Sequence, residues 1–238
     1  MFVNYAHRGA SHYAPENTMS SFRLGVEMRA NGIELDLQKT KDGKIVIFHD
    51  DTIDNKSNGA GAIADYTYDE LLQMDFGSWK DAKYEGEKIV LFEDFAKEFL
   101  PMELTFAIEL KVIGIEKEAL DIIRKYQTHD NVYISSFMYE ALVNVSKLDP
   151  AARLSWLIEE RINEENIAKI VAIHGCQICP EAEKITVEDI KLAKKHGIGV
   201  RLWGVYNEEI MEKVYLLDIE GMTVNFPDKL RELISKNA

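Results

Sequence analysis

Apolar segments rich in Val, Ile and Phe alternate along the chain with amphipathic segments of ten residues or more. That rhythm predicts βα units and a parallel sheet. Residues 2–7 read as the first strand, and 18–30 as a helix entered through Glu16-Asn17-Thr18. Residues 33–37 form the second strand; Lys41-Asp42-Gly43 then marks a hairpin turn, and 44–48 return antiparallel. Between 50 and 90 the rhythm breaks. Asn58-Gly59, Gly61, Gly77 and several aromatics occur there without a long helix, so this stretch reads as an insertion over a barrel mouth, within one domain covering 1–238. The alternation then resumes. Strands are expected at 105–110, 132–135, 153–158, 176–179, 199–204 and 221–225, with helices at 92–99, 114–127, 137–147, 163–173, 186–196, 207–216 and 227–236. Eight parallel strands result, and the α/β class narrows to a closed (β/α)8 barrel. An open dinucleotide-binding sheet is disfavoured because no Gly-x-Gly-x-x-Gly opens the first helix.

Length agrees, since 238 residues suit one barrel, a fold that typically takes about 250. Charge changes the picture more. Acidic residues outnumber basic ones, 41 to 28, for a net charge of −13. Such a surface repels nucleic acid and anionic membrane, so an anionic substrate needs local cations or a metal. The acids also have a plain use in solubility, on solvated helix faces such as Glu159, Glu160, Glu164 and Glu165. The start of the sequence has no basic, apolar leader pattern, and no run approaches the roughly 18 apolar residues of a membrane span. A cytoplasmic protein without stable membrane association is expected; a homodimer is left open. Cys176 and Cys179 supply no disulfide framework. Their metal-like spacing falls on an expected strand before Pro180, where small buried side chains are the simpler reading.

Catalytic groups of such barrels lie at the C-terminal ends of strands. Four of these places carry unusual polar residues. His7-Arg8-Gly9 follows the first strand: an imidazole able to exchange protons near neutral pH, a forked donor suited to phosphate, and a residue free to turn sharply. Taken alone, it is equally a surface turn. Glu34 and Asp36 lie two apart and share one strand face, opposite Ile33, Leu35 and Leu37. Two carboxylates directed into a lumen repel each other, and a divalent cation relieves that cost. An edge strand with acids in water is the competing reading. His49 ends the apolar run Ile47-Phe48 and is followed by Asp50; by itself it is a loop histidine. Glu109 and Lys111 again share a face, as a third oxygen ligand and a phosphate-neutralising cation, or as a structural ion pair. Oxygen-only ligation suits Mg²⁺ or Ca²⁺. An iron site on His7, His49 and Asp36 would leave Glu34, Glu109, Arg8 and Lys111 without roles. Trp203 ends another apolar strand, as a pocket wall or as packing. His12, His129, His174 and His196 receive no role.

In this order, His7-Arg8-Gly9, Pro15-Glu16-Asn17-Thr18, Gly32-x-Glu34-x-Asp36, His49-Asp50-x-Thr52, Ser57-Asn58-Gly59 and Ile108-Glu109-x-Lys111 resemble the glycerophosphodiester phosphodiesterase family. Leu202-Trp203 and Thr223-Val224-Asn225-Phe226-Pro227-Asp228 extend the likeness over nearly the whole chain. The resemblance implies a TIM barrel with a small insertion after His49. It implies a divalent metal on Glu34, Asp36 and Glu109, His7 and His49 as acid and base, and Arg8 and Lys111 on the phosphate. The implied reaction hydrolyses small-molecule glycerophosphodiesters to sn-glycerol 3-phosphate and an alcohol. The same site on lysophospholipids or sphingomyelin, and a non-catalytic phosphate sensor, are the alternatives. Two departures sit at the expected pocket rim: Trp203-Gly204 where the family usually has Trp-Thr, and Thr223-Val224-Asn225 where it often has Thr-Asp. They bear on head-group preference more than on the chemistry.

Overall fold

A computed structural model describes residues 2–237. Its strands are β1 (Val3–His7), β2 (Gly32–Lys39), β3 (Ile45–Ile47), β4 (Val90–Leu91), β5 (Thr105–Leu110), β6 (Val132–Ser136), β7 (Arg153–Leu157), β8 (Gln177–Cys179), β9 (Gly199–Val205) and β10 (Gly221–Val224). Its α-helices are α1 (Met19–Glu27), α2 (Tyr68–Leu71), α3 (Phe92–Phe99), α4 (Glu116–Tyr126), α5 (Tyr139–Leu148), α6 (Glu164–Ala172), α7 (Val187–Lys195), α8 (Glu208–Tyr215) and α9 (Pro227–Asn237). Eight strands, β1, β2 and β5 to β10, pair in parallel, each with its neighbour, and the ring closes where β1 meets both β10 and β2. The expected (β/α)8 barrel is therefore the observed fold.

Local chemistry accounts for where the helices begin. Thr18 caps α1 by accepting from Ser21 N, as its place after Glu16-Asn17 led us to expect. Asn163, Thr186 and Asn207 cap α6, α7 and α8 in the same way. Strand β2 is buried along nearly its whole length, as a strand covered on both faces must be. Ile33, Leu35 and Leu37 enter the apolar layer beneath the helices, with Phe22, Phe95, Phe99 and Phe106.

The hairpin turn falls where Asp42-Gly43 placed it. Gly43 has φ +80°, its N–H donates to the Thr40 carbonyl at 2.9 Å, and β3 runs antiparallel to β2. The pair β3–β4 is also antiparallel and lies outside the closed ring. β4 escapes sequence reading because two residues show no alternation. Residues 50–89 hold only the four-residue α2 and two short 3₁₀ turns among their helices, and β4 begins at Val90. Their apolar side chains build a second cluster, in which Ile53, Ile63, Leu71, Phe76 and Ile89 pack with Val46 and Phe48. Glu159 and Glu160 lie in the loop between β7 and α6, not on a helix face; only Glu164 and Glu165 begin α6. Among the described residues, no helix is long and apolar enough to cross a membrane.

The barrel interior is partly polar, which is unusual for a layer normally filled by branched apolar residues. Arg201 is fully buried there. Its Nη1 donates to Thr223 Oγ1 at 2.8 Å, its Nε to Gln177 Oε1 at 3.3 Å, and its guanidinium lies over the Tyr5 ring.

Candidate active site at the C-terminal mouth

Strand register assembles the site. In the β1–β2 ladder His7 is the partner of Glu34, and in the β2–β5 ladder Asp36 is the partner of Glu109. Two neighbouring strands, β2 and β5, thus bring Glu34, Asp36 and Glu109 together, with one oxygen from each within 4.8 Å of the others. All three are buried. His7, Arg8, Glu34, His49, Glu109 and Trp203 share the wall of one cavity of about 320 Å³. Asp36 lies behind that wall, and Lys111 stands against Glu109.

The backbone after β1 is specialised. Arg8 takes a left-handed conformation (φ 56°), and Gly9 follows at φ +79°. A side-chain carbon at Gly9 would lie 2.4 Å from the Ser21 carbonyl carbon, so only glycine lets α1 approach this closely. The turn aims the Arg8 N–H at Glu34 Oε2, 3.1 Å away. The Arg8 guanidinium is held between Glu16 (2.8 Å) and Asp36 (3.2 Å). Lys56 reaches Glu16 from the other side at 3.2 Å. Lys111 sits 3.0 Å from Glu109 and 4.0 Å from Asp36. Asn17 donates to Asp36 Oδ2 at 2.8 Å.

Electrostatics sort the three acids. Burial, then the charge of Asp36, pushes Glu34 well above the usual carboxylate range. The same two causes raise Glu109 to about 7. Burial also acts on Asp36, but Arg8 foremost and the other cations facing it hold its carboxyl at about 2. Burial would lower the Lys111 ammonium, and Glu109 with Asp36 more than offset this. Without a cation, the centre therefore confines more negative charge than its surroundings stabilise. Asp36 Oδ1 is buried and has no hydrogen-bond partner among the described residues. An all-oxygen donor set, a spare buried carboxylate oxygen and two carboxyls reluctant to ionise fit a hard divalent cation.

The histidines are held differently. His7 Nδ1 lies 2.5 Å from Asn225 Oδ1, which also accepts from the Ser11 hydroxyl at 3.1 Å. An amide oxygen can only accept, so His7 carries its proton on Nδ1, and Nε2 keeps a lone pair 3.8 Å from Glu34. Burial, then Arg8, lowers the His7 imidazole to about 4. His49 follows β3, where Phe48 N still donates to the Asp36 carbonyl. Its Nδ1 faces Asp50 Oδ1 at 2.7 Å.

From the sequence Arg201 has no role, Asn17 only opens the first helix, and Thr223 and Asn225 only mark the pocket rim. Asn225 had a usable signal, since it follows the last barrel strand. Arg201 is two residues before Trp203 and so shares its inward face. Of the two cysteines, Cys179 is buried in β8, whereas Cys176 is half-buried just before it.

Fold and site together define a (β/α)8 barrel with a carboxylate triad, fit for a divalent cation, beside two histidines. The pattern of the glycerophosphoryl diester phosphodiesterase family matches residues 7–229, and the chain belongs to that family. A glycerophosphodiester phosphodiesterase of Caldanaerobacter subterraneus subsp. tengcongensis is 34% identical over 238 residues, covering 97% of each chain. One from Bacillus subtilis is 30% identical, covering 95% of this chain and 84% of its own. Among solved structures, an Oleispira antarctica phosphodiesterase in complex with its product sn-glycerol-3-phosphate superposes with a TM-score of 0.89. It shares 27% identity and covers 97% of this chain and 96% of its own.

Proposed function

We propose that this protein hydrolyses glycerophosphodiesters to sn-glycerol 3-phosphate and an alcohol, with a divalent cation held by Glu34, Asp36 and Glu109. The observation that carries this reading is the meeting of one acidic triad and two imidazoles at a single cavity. The product-bound Oleispira relative supports the substrate class. Mg²⁺ or Ca²⁺, when bound, supplies Lewis-acid neutralisation of phosphate charge. The remaining chemistry belongs to the chain. His7 is neutral, and its Nε2 lone pair accepts the proton of the attacking hydroxyl. That hydroxyl is water, or the glycerol 2-OH; it forms a new P–O bond as the bond to the alcohol breaks, and in the second case water then opens the cyclic phosphate, breaking the P–O2 bond to leave sn-glycerol 3-phosphate, with the O2 oxygen reprotonated. His49, oriented by Asp50, is the general acid that gives a proton to the departing alkoxide. Arg8 and Lys111 hold positive charge beside the phosphoryl oxygens, and their carboxylate partners fix both in place. Trp203 walls the substrate.

The test is glycerol 3-phosphate release by chelated protein with Mg²⁺ or Ca²⁺ restored. His7→Ala and His49→Ala should each lower kcat by about 10²–10⁴-fold with unchanged circular dichroism. Near wild-type turnover in both would end the assignment.

A further inference from the structure

The far arc of the cavity mouth has a chemistry of its own. Phe137 follows β6, Glu159 follows β7, and Trp203 and Tyr206 come from β9 and its end; all four line the cavity that the triad opens into. The Trp203 indole is fixed by donating Nε1–H to the carbonyls of Cys179 (3.0 Å) and Ile158 (3.2 Å). Phe137 meets it edge-on, with ring centroids 5.3 Å apart at 83°. Both Phe137 and Tyr206 are exposed, at 37% and 60%, unlike most large apolar side chains of the chain.

The departure at Gly204 builds this arc. The β9–β10 register slips between the Leu202 and Val205 pairs, so Trp203-Gly204 form a bulge, a device that re-aims side chains beside active sites. Gly204 has φ +74°, and a side-chain carbon there would lie 3.1 Å from Glu181 Cγ and 3.4 Å from the Tyr206 hydroxyl. The positive φ favours glycine at this point, and the Tyr206 ring lies over the bulge at ordinary contact distance. Among the described residues Glu159 forms no side-chain ion pair. Lys184 spends its ammonium on Glu181 Oε2 (2.8 Å) and on the Glu159 main-chain oxygen (2.8 Å).

We infer that Phe137, Glu159, Trp203 and Tyr206 form a head-group site selecting diesters whose alcohol carries an ammonium ion, above all a quaternary one. The inference rests on the function proposed above and names its preferred substrates. Ring faces attract a cation, and methylated ammonium is the ion they hold best. A free carboxylate adds to that attraction and repels anionic head groups. A polyol head group would find only the Tyr206 hydroxyl and the Glu159 carboxylate as hydrogen-bond partners on this arc, since the Trp203 N–H is already engaged.

The test compares kcat/KM on three diesters of glycerol 3-phosphate: choline, its uncharged carbon analogue 3,3-dimethylbutanol, and glycerol. The choline ester should lead the uncharged analogue about tenfold, as several exposed cation–π contacts worth about 2- to 5-fold each imply. Tyr206→Leu and Glu159→Gln should each reduce that ratio by about 2- to 5-fold. Equal wild-type rates on the choline and dimethylbutyl esters would overturn the head-group site while leaving the hydrolase reading intact. So would variants that slow both esters alike. No glycerol 3-phosphate from any of the three, with metal restored, would overturn both readings.

Discussion

Glu109 offers a perturbation whose sign depends on pH. Its carboxyl is raised from an ordinary 4.5 to about 7 by burial and by Asp36. A group raised on folding contributes most to stability while protonated, below pH 4.5. That contribution is lost as pH climbs through about 7. The gap corresponds to about 3 kcal/mol. A glutamine side chain in the same place cannot titrate. Metal-free Glu109→Gln should therefore gain up to about 3 kcal/mol on the wild type between pH 4.5 and pH 8. Lys111 loses the charge of its 3.0 Å partner in the variant but keeps that of Asp36 at 4.0 Å. The measurement is urea unfolding in chelator at both pH values. Added Mg²⁺ or Ca²⁺ at a thousandfold excess over its Kd should then outweigh this gain at pH 8, because it stabilises the wild type by about 4.1 kcal/mol and the variant lacks one of three ligands. An identical stability difference at both pH values, or a full metal response in Glu109→Gln, would refute the reasoning.

Two further outcomes follow from the geometry. Asn225→Leu removes the acceptor that holds His7 in its Nδ1–H form; kcat should fall about tenfold or more, and the ¹⁵N shifts of His7 should report a mixture of tautomers. Unchanged shifts would show that Asn225 does not set the proton position. Gly9→Ala should cost at least about 2 kcal/mol, since a left-handed φ combines with overlap on Ser21. Gly43→Ala, at φ +80° but with only Lys39 Cε nearby at 3.8 Å, should cost about 1 kcal/mol. Equal losses in the two alanine variants, read by urea unfolding, would remove the packing argument.

The barrel was legible because burial on both faces writes continuous apolar runs into its strands, and the helices between them carry caps such as Thr18 and Thr186. Glu34, Asp36, Glu109 and Lys111 were legible because period two puts alternate side chains on one face. Other parts were not. Asn225 acts on a residue 218 positions away, and no local pattern joins them. Glu159 looked like another solvated acid because its neighbours in sequence are acidic; only the loop geometry after β7 turns it toward the cavity. Arg201 was not legible either: Thr223, Gln177 and the Tyr5 ring hold it inside the barrel, where the charges of Glu34 and Glu109 also act on it.

The two histidines stand on different foundations. His7 ends a strand locked into the closed ring, so displacing it means opening the barrel. His49 follows an antiparallel strand outside the ring, braced by the small separate cluster around Phe48, Ile53 and Phe76. Ile45 and Ile47 tie this strand into the main core, whereas Val46 and Phe48 belong to the smaller cluster. The imidazole pair thus straddles the seam between two packed interiors, one histidine closing the ring and the other standing where the second interior adjoins it.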